Sequence, residues 1–563
     1  MKKKSGILEP SVILKFKDLG FKNTPNLSNL VYRFERLELI YFALEIIYKR
    51  ELSIGYENFC KRVYPQDNGK TIIEVLNKEL AFSHIPLHAY HIVSAQTGLE
   101  LLKYILSIPN DEIPWDFESI DDGANIKSNS VFAIILLINN RITKCEDTFS
   151  QKQNIDEVLA MVASTMVEYN DFTNFNLATT PLIHLYKASL FIDYCKNYPI
   201  LNECISKFLS KYHCNDAKTY FASIAKLFCE NLEYKDRYCL FKFDDISSVP
   251  KIFFDFSISI NELVCIEDND DYKCFRDRPL LRISEKEFVT ICFSFLIDKF
   301  YNSLIFDVSR ISDTEYSKVK NLISDFSESK LLFPLIRKCV EPNSRIHLSG
   351  YDCNKILKEG APDYYVRNWR DIYLVELKDY SFKADIKSSP NSNELYEYLY
   401  GQFVKKNNGR NGAIRQLVNN ISRIIHKDFV WDKKIDELKN IYPILVLGNS
   451  NYLTYGIPYI LNIFFRKELK AKALNSETIN DLIVIDIDTL ILYNDYFSYK
   501  SCIFRNEIKN YLKFIRRNNL KSDKKSLDLS SYMQPFPIFL QTRKPISSSC
   551  LANKIKETEL WKN

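Results

Sequence analysis

Apolar residues recur at helical spacing near the start of the chain. Leu27, Leu30, Val31, Phe34, Leu37, Tyr41, Leu44 and Ile47 share one side of a 3.6-residue helix, after a Thr24-Pro25-Asn26 start signal. Similar patterns return over 134–138, 158–166, 182–194 and 222–228, with no fixed-period repeat that would mark a solenoid. Residues 1–235 therefore read as a mostly helical domain. Near 236 the pattern changes. Stretches 238–243, 251–260 and 278–283 read as strands, an acidic loop covers 267–271, and 288–304 turns helical again. Residues 236–310 thus form a mixed joining segment. Residues 521–563, with clustered Ser and Lys and three prolines, read as an irregular tail.

Between these lies a different alternation. Tyr364-Tyr365-Val366 and Ile372-Tyr373-Leu374-Val375 flank the polar turn Asn368-Trp369-Arg370-Asp371, which is a hairpin signal. Strand side chains alternate with period two, so Ile372, Leu374, Glu376 and Lys378 share one face. A carboxylate and an ammonium therefore sit together on an otherwise apolar strand. Asp363, after Pro362 at the start of the neighbouring strand, can reach the same spot. Two acidic oxygen donors beside a lysine suit Mg²⁺, which takes one or two carboxylates plus water and phosphate oxygens. The lysine can orient or deprotonate a water, or offset charge on a phosphate. Attraction to the carboxylates and desolvation pull its proton affinity in opposite directions.

The Pro362-Asp363 and Glu376-Leu377-Lys378 pair resembles the signature of the PD-(D/E)XK nuclease superfamily. The resemblance spans roughly residues 312–500 and includes the order of elements. A short helical pattern starts at Ser327-Glu328. A strand over 345–348, the two motif strands, an amphipathic helix over 413–425 and an apolar strand over 441–447 follow. It implies an α+β multidomain protein whose C-terminal α/β restriction-endonuclease-like domain, 311–520, is built on a central mixed sheet. It implies Asp363 and Glu376 as ligands of Mg²⁺ (or Mn²⁺), with Lys378 as the water-positioning group. A helix-borne Glu often completes such sites. Glu328 is best placed, with Glu315 and Glu341 as competitors, although Pro334 counts against a helix there. Some relatives carry Gln followed four residues later by Tyr on the next helix; this chain has Gln416 and Asn420.

Composition narrows the reading. The chain has 563 residues and is 46% hydrophobic, enough for several cores. Its net charge is only +5, which excludes a globally basic nucleic-acid coat, so any binding surface must be local. Lys405, Lys406, Arg410, Arg415, Arg423 and Lys427 cluster around the helix after the motif. Gln416, Asn420, Arg423 and Lys427 are spaced to form a polar stripe on it. A second basic cluster runs from Arg505 to Lys525. The 14 cysteines form no C-x-x-C pair, and no leader or long apolar run is apparent, which points to a cytoplasmic protein with reduced thiols and no membrane segment. His84, His88 and His91 read as structural, without support for a zinc site.

The expected function is Mg²⁺-dependent endonucleolytic hydrolysis, with DNA as the nucleic-acid partner. The helical region would serve targeting or regulation, through a protein partner or an oligomer, in a setting such as bacterial anti-phage defence. The alternatives are a non-catalytic nucleic-acid-binding or helical interaction scaffold, and an RNA-cleaving enzyme of the same fold.

Overall fold

The computed structural model describes residues 12–19, 24–48, 56–64, 66–80, 90–109, 124–142, 160, 162–164, 166–167, 178–232, 238–264, 271–311, 315–380, 382–387, 389, 391–406, 409–435, 440–474, 476–519, 533–544, 546 and 549–562. His84, His88 and the lysines of the 521–525 stretch lie outside these. The chain is α+β and divides into two compact units, each assembled from two separated stretches.

The first unit comprises 1–148 and 209–303. Its helix Arg36–Tyr48 packs on Ala95–Leu106, with Gly98 at the crossing. A Cβ on Gly98 would lie 2.6 Å from the Ala43 carbonyl oxygen, so only glycine permits that approach. The buried face of the first helix is Leu39, Ile40, Ala43, Leu44 and Ile46. The stripe expected through Leu37, Tyr41 and Ile47 is offset from it, because the chain breaks between Val31 and Arg36 and restarts its helical phase. A four-stranded sheet runs in the order Leu240–Lys242, Glu287–Thr290, Leu280–Ser284, Ser257–Ser259. The strand expected over 251–260 is a helix, Lys251–Asp255, followed by that short strand; Pro250 precedes the helix at its N-cap.

The second unit comprises 149–208 and 304–563. Helix α1 (Tyr316–Phe326) continues through one π turn, Ser327–Leu332, into α2 (Phe333–Cys339). Strand β1 (Ile346–Ser349) and helix α3 (Gly350–Ile356) precede the hairpin of β2 (Tyr364–Asn368) and β3 (Asp371–Lys378). Then come α4 (Ser392–Phe403), α5 (Ala413–Ile425), β4 (Asn440–Leu447) and α6 (Ile457–Ala471). Strand β5 (Ile483–Asp486) leads into α7 (Ile487–Tyr499) and α8 (Ile503–Asn519).

The five strands form one mixed sheet, ordered β5-β4-β3-β2-β1. β1, β2 and β3 are antiparallel neighbours, while β4 and β5 run parallel to β3. β3 is the central strand and buried from Asp371 to Leu377. Its two-residue turn places Trp369 in the left-handed region (φ 55°) with its side chain 88% exposed. One face of the sheet buries Ile372 and Leu374 in a core with Leu417, Val418 and Ile421 of α5 and Leu461 and Phe465 of α6. On the other face Tyr373 stacks on Tyr442 and donates its hydroxyl proton to Glu341.

Asp486 ends β5 and accepts the Thr489 amide as N-cap of α7, which puts Asp488 in the helix. The tail is not irregular throughout: Phe536–Arg543 and Ser549–Lys556 are helices that bury Phe536, Leu540 and Leu551. Aromatic and aliphatic residues there seat against the core despite the Ser and Lys around them.

Candidate active site

Asp363, Glu376 and Lys378 meet at one end of the central strand. Lys378 Nζ lies 3.3 Å from Glu376 Oε2 and 3.5 Å from Asp363 Oδ2. Asp363 is held twice: the Leu377 amide donates to its Oδ2 at 2.7 Å, and the Gly350 amide donates to its carbonyl oxygen at 2.8 Å. The first bond ties the residue before β2 to the motif on β3, so the hairpin register itself sets the carboxylate. Glu376 and Lys378 share the face of Ile372 and Leu374, and that face is packed rather than solvated. A surface ion pair on an edge strand is thereby ruled out.

Glu376 is 1% exposed, and its Oε1 is buried with no hydrogen-bond partner. Burial, the neighbouring Asp363 charge and a hydrogen bond with Asp363 push its carboxyl well above the ordinary range, against the pull of Lys378. For Lys378, desolvation lowers proton affinity, but Asp363 and Glu376 outweigh it and hold the ammonium charged. Attraction wins because both carboxyls lie within contact distance.

Glu328 joins this group from the π turn. There the Phe333 amide donates to the Glu328 carbonyl, an i to i−5 bond that widens the helix. Pro334, which counted against a helix, falls directly after the π segment, within the continuous helical run rather than at its end. Burial first, then Asp363, raise the Glu328 carboxyl to about 7, with Lys378 opposing. Of the competitors, Glu341 lies on the far face, bonded to Tyr373 and Asn368 and paired with Arg505. Glu315 pairs with Lys318.

One clamp was missed in the sequence. Ser327 Oγ donates to Asp379 Oδ2 at 2.6 Å, joining the neighbour of Glu328 to the neighbour of Lys378. Gly448, just past β4, makes room: a Cβ there would lie 2.0 Å from Asp379 Oδ1. The only sequence signal was a glycine ending an apolar strand in a glycine-poor chain.

The nucleic-acid-binding expectation is reshaped. Lys406, Arg410, Gln416 and Arg423 line one cleft of about 590 Å³ together with Glu359, Gly360, Asn411 and Asn419. Arg423 donates to the Gly360 carbonyl oxygen, three residues before Asp363, and lies over Trp431. Lys406 lies over Tyr380, a residue that also acts on the Lys378 charge, so the cleft adjoins the carboxylates. Lys405 is exposed in a short bridge with Asn411 and does not line the cleft. Asn420 is not on the polar stripe; it is 1% exposed, because α5 is covered on more of its circumference than the heptad-like spacing implied. Lys427 lies beyond the end of α5 in the left-handed region (φ 62°), which takes it off the stripe. Arg415 is committed to Glu468 of α6. In the second basic cluster Arg505 pairs with Asp371 and Glu341, and Arg516 with Asp481.

Among the described residues no group of three or more His, Cys, Asp or Glu side chains stands in a ready-made metal cage. The donor chemistry of Asp363 and Glu376 nevertheless fits a hard divalent ion. Both offer carboxyl oxygens, and the buried Glu376 Oε1 has no protein donor. A cation would add to the counter-charge that Lys378 supplies. No helix of the described residues is long and apolar enough to cross a membrane. Comparison with protein-family models, curated proteins and solved structures finds no match to this chain.

Proposed function

We propose that the protein is a PD-(D/E)XK-type nuclease that hydrolyses phosphodiester bonds in DNA with Mg²⁺ or Mn²⁺. The observation that carries the reading is the convergence of Asp363, Glu376 and Lys378 within 3.5 Å contacts at the end of a buried central strand. Structural ion pairs seldom place an unpartnered buried carboxyl oxygen beside a second carboxyl and a lysine. In this reading the five-stranded sheet and its helices are the restriction-endonuclease-like domain. The helical region and joining segment serve targeting or regulation of a cytoplasmic enzyme, in a role such as antiviral defence.

Asp363 and Glu376 would hold the metal, which when bound polarises the phosphate and makes a bound water more acidic. Lys378 positions the attacking water and offsets the charge that builds on the phosphate oxygens. Glu328, with a carboxyl near 7, exchanges a proton close to neutral pH, as a general acid or base requires. Lys406, Arg410 and Arg423 contact phosphates along the adjoining strand.

The test uses the full chain with matched DNA and RNA, in Mg²⁺, in Mn²⁺ and in EDTA. Cleavage should need the metal and fall on the order of a hundredfold or more in Asp363→Ala and in Lys378→Ala, with the fold unchanged. Binding without cleavage in either metal would replace this reading with a non-catalytic one. Cleavage of RNA alone would overturn the choice of DNA.

A further inference from the structure

A second basic cleft lies away from the carboxylates, between α6 and α8. It has a volume of about 410 Å³, and Arg466, Lys467, Lys470 and Arg516 line it with Asp481 as the single acid. Asp481 precedes β5 by two residues. The far end of β5, Asp486, is in register with Leu447 and so with Lys378. At about 3.3 Å per strand residue, the five residues from Asp481 to Asp486 put this cleft roughly 17 Å down the sheet from the catalytic end.

The arginines are held in place before any ligand arrives. Arg466 Nε donates to Asp481 Oδ1 at 2.7 Å, and Arg516 Nε donates to Oδ2 at 3.0 Å. A terminal nitrogen of each completes the clamp at 2.5 and 3.0 Å. The other terminal nitrogen of each has no hydrogen-bond partner among the described residues. Asp481 keeps its charge: burial pushes its carboxyl up, but Arg466 and Arg516 outweigh this and bring it below the ordinary value. The Asn462 side chain braces the same point, donating to Asp481 and accepting the Leu482 amide. Here four cations face one acid, and Lys467 and Lys470 are exposed.

We propose that this cleft is a second phosphate-binding site, separate from the cleft beside the carboxylates. Each guanidinium keeps a terminal nitrogen for a phosphate oxygen, Lys470 adds an exposed charge, and Lys467, which donates to the Tyr396 hydroxyl at 3.2 Å, adds a second. The phosphate comes from one of two sources with the same chemistry: a nucleic-acid backbone, or a nucleotide, whose size suits the volume. The inference does not rest on the nuclease reading, since none of these residues belongs to the catalytic group.

The experiment compares the full-length wild type with Lys467→Gln/Lys470→Gln, which leaves the Asp481 clamp intact, and with Arg516→Lys, which keeps charge but removes a fork. Nucleotide binding is read by calorimetry with ATP and GTP. Duplex binding is read by anisotropy in Ca²⁺ at several salt concentrations, with thermal melting as a folding control. Weakening of about tenfold in the double variant is expected for the true source. If that source is duplex, the slope of log K against log salt also becomes shallower by about one to two. Nucleotide affinity lost with duplex binding unchanged assigns a nucleotide site; the reverse assigns a backbone contact. Unchanged affinity and slope for both probes in folded variants would overturn the proposal.

Discussion

Glu328→Gln tests the electrostatics of the carboxyl group directly, without assuming any activity. In the folded protein the Glu328 carboxyl sits at about 7, against 4.5 for the free side chain. Between those pH values the native state keeps a proton that the unfolded state has released. Stability therefore falls as pH rises from about 4.5 to about 7, and the full penalty persists above that. A shift of this size corresponds to about 3 kcal/mol at 1.36 kcal/mol per unit. Glu328 is half-buried, and solvent screening reduces this to about 1–2 kcal/mol. Gln cannot ionise, so Glu328→Gln should match wild type near pH 4.5 and exceed it at pH 8 by about 2–4 °C in melting temperature, scaled for a large unit. Melting curves in EDTA from pH 4.5 to 8 provide the assay. Asp363→Asn is the second arm: it removes the next largest cause of the shift, so adding Glu328→Gln to it should raise the melting temperature less than adding Glu328→Gln to wild type. Parallel melting-temperature profiles for wild type and Glu328→Gln would refute the argument, because Glu328 would then be as solvated as a free side chain.

Gly448→Ala should cost about 1–3 kcal/mol by driving a Cβ into Asp379, and adding Asp379→Ala should recover most of it; a strictly additive double variant by denaturant melting would show that the clash is not the cause. Arg505→Ala should destabilise the second unit by about 3–5 kcal/mol, since it leaves Glu341 and Asp371 buried without their cation, and a loss under about 1 kcal/mol would count against that pairing. Replacing Lys406 and Arg423 with Ala should make the salt dependence of duplex binding in Ca²⁺ shallower by up to about two units, at roughly 0.9 per phosphate contact, whereas an unchanged slope would leave the cleft a solvated surface.

Much of the central site was legible in the chain because it depends on local rules. Period-two alternation put Glu376 and Lys378 on one face, and a two-residue turn fixed the hairpin register that returns Asp363 to them. Neither inference needs a distant residue. Burial was not legible. Whether Ile372, Leu374, Glu376 and Lys378 faced water or a core depended on α5 and α6 covering the sheet from positions up to about ninety residues away in the chain. That covering turns an ordinary Lys-Glu pair into a desolvated group with raised carboxyls, and it also buries Asn420. Among the three candidate glutamates, Glu328 sits on a π turn where Asp363 acts on its carboxyl, a departure from helical periodicity that pattern analysis does not anticipate. The Ser327–Asp379 clamp and the Asp481 clamp of Arg466 and Arg516 join residues 52, 15 and 35 positions apart. Sequence alone determined which chemistry the hairpin could carry. Tertiary packing decided which charges lost their water, and electrostatic interactions become strong only where water is excluded.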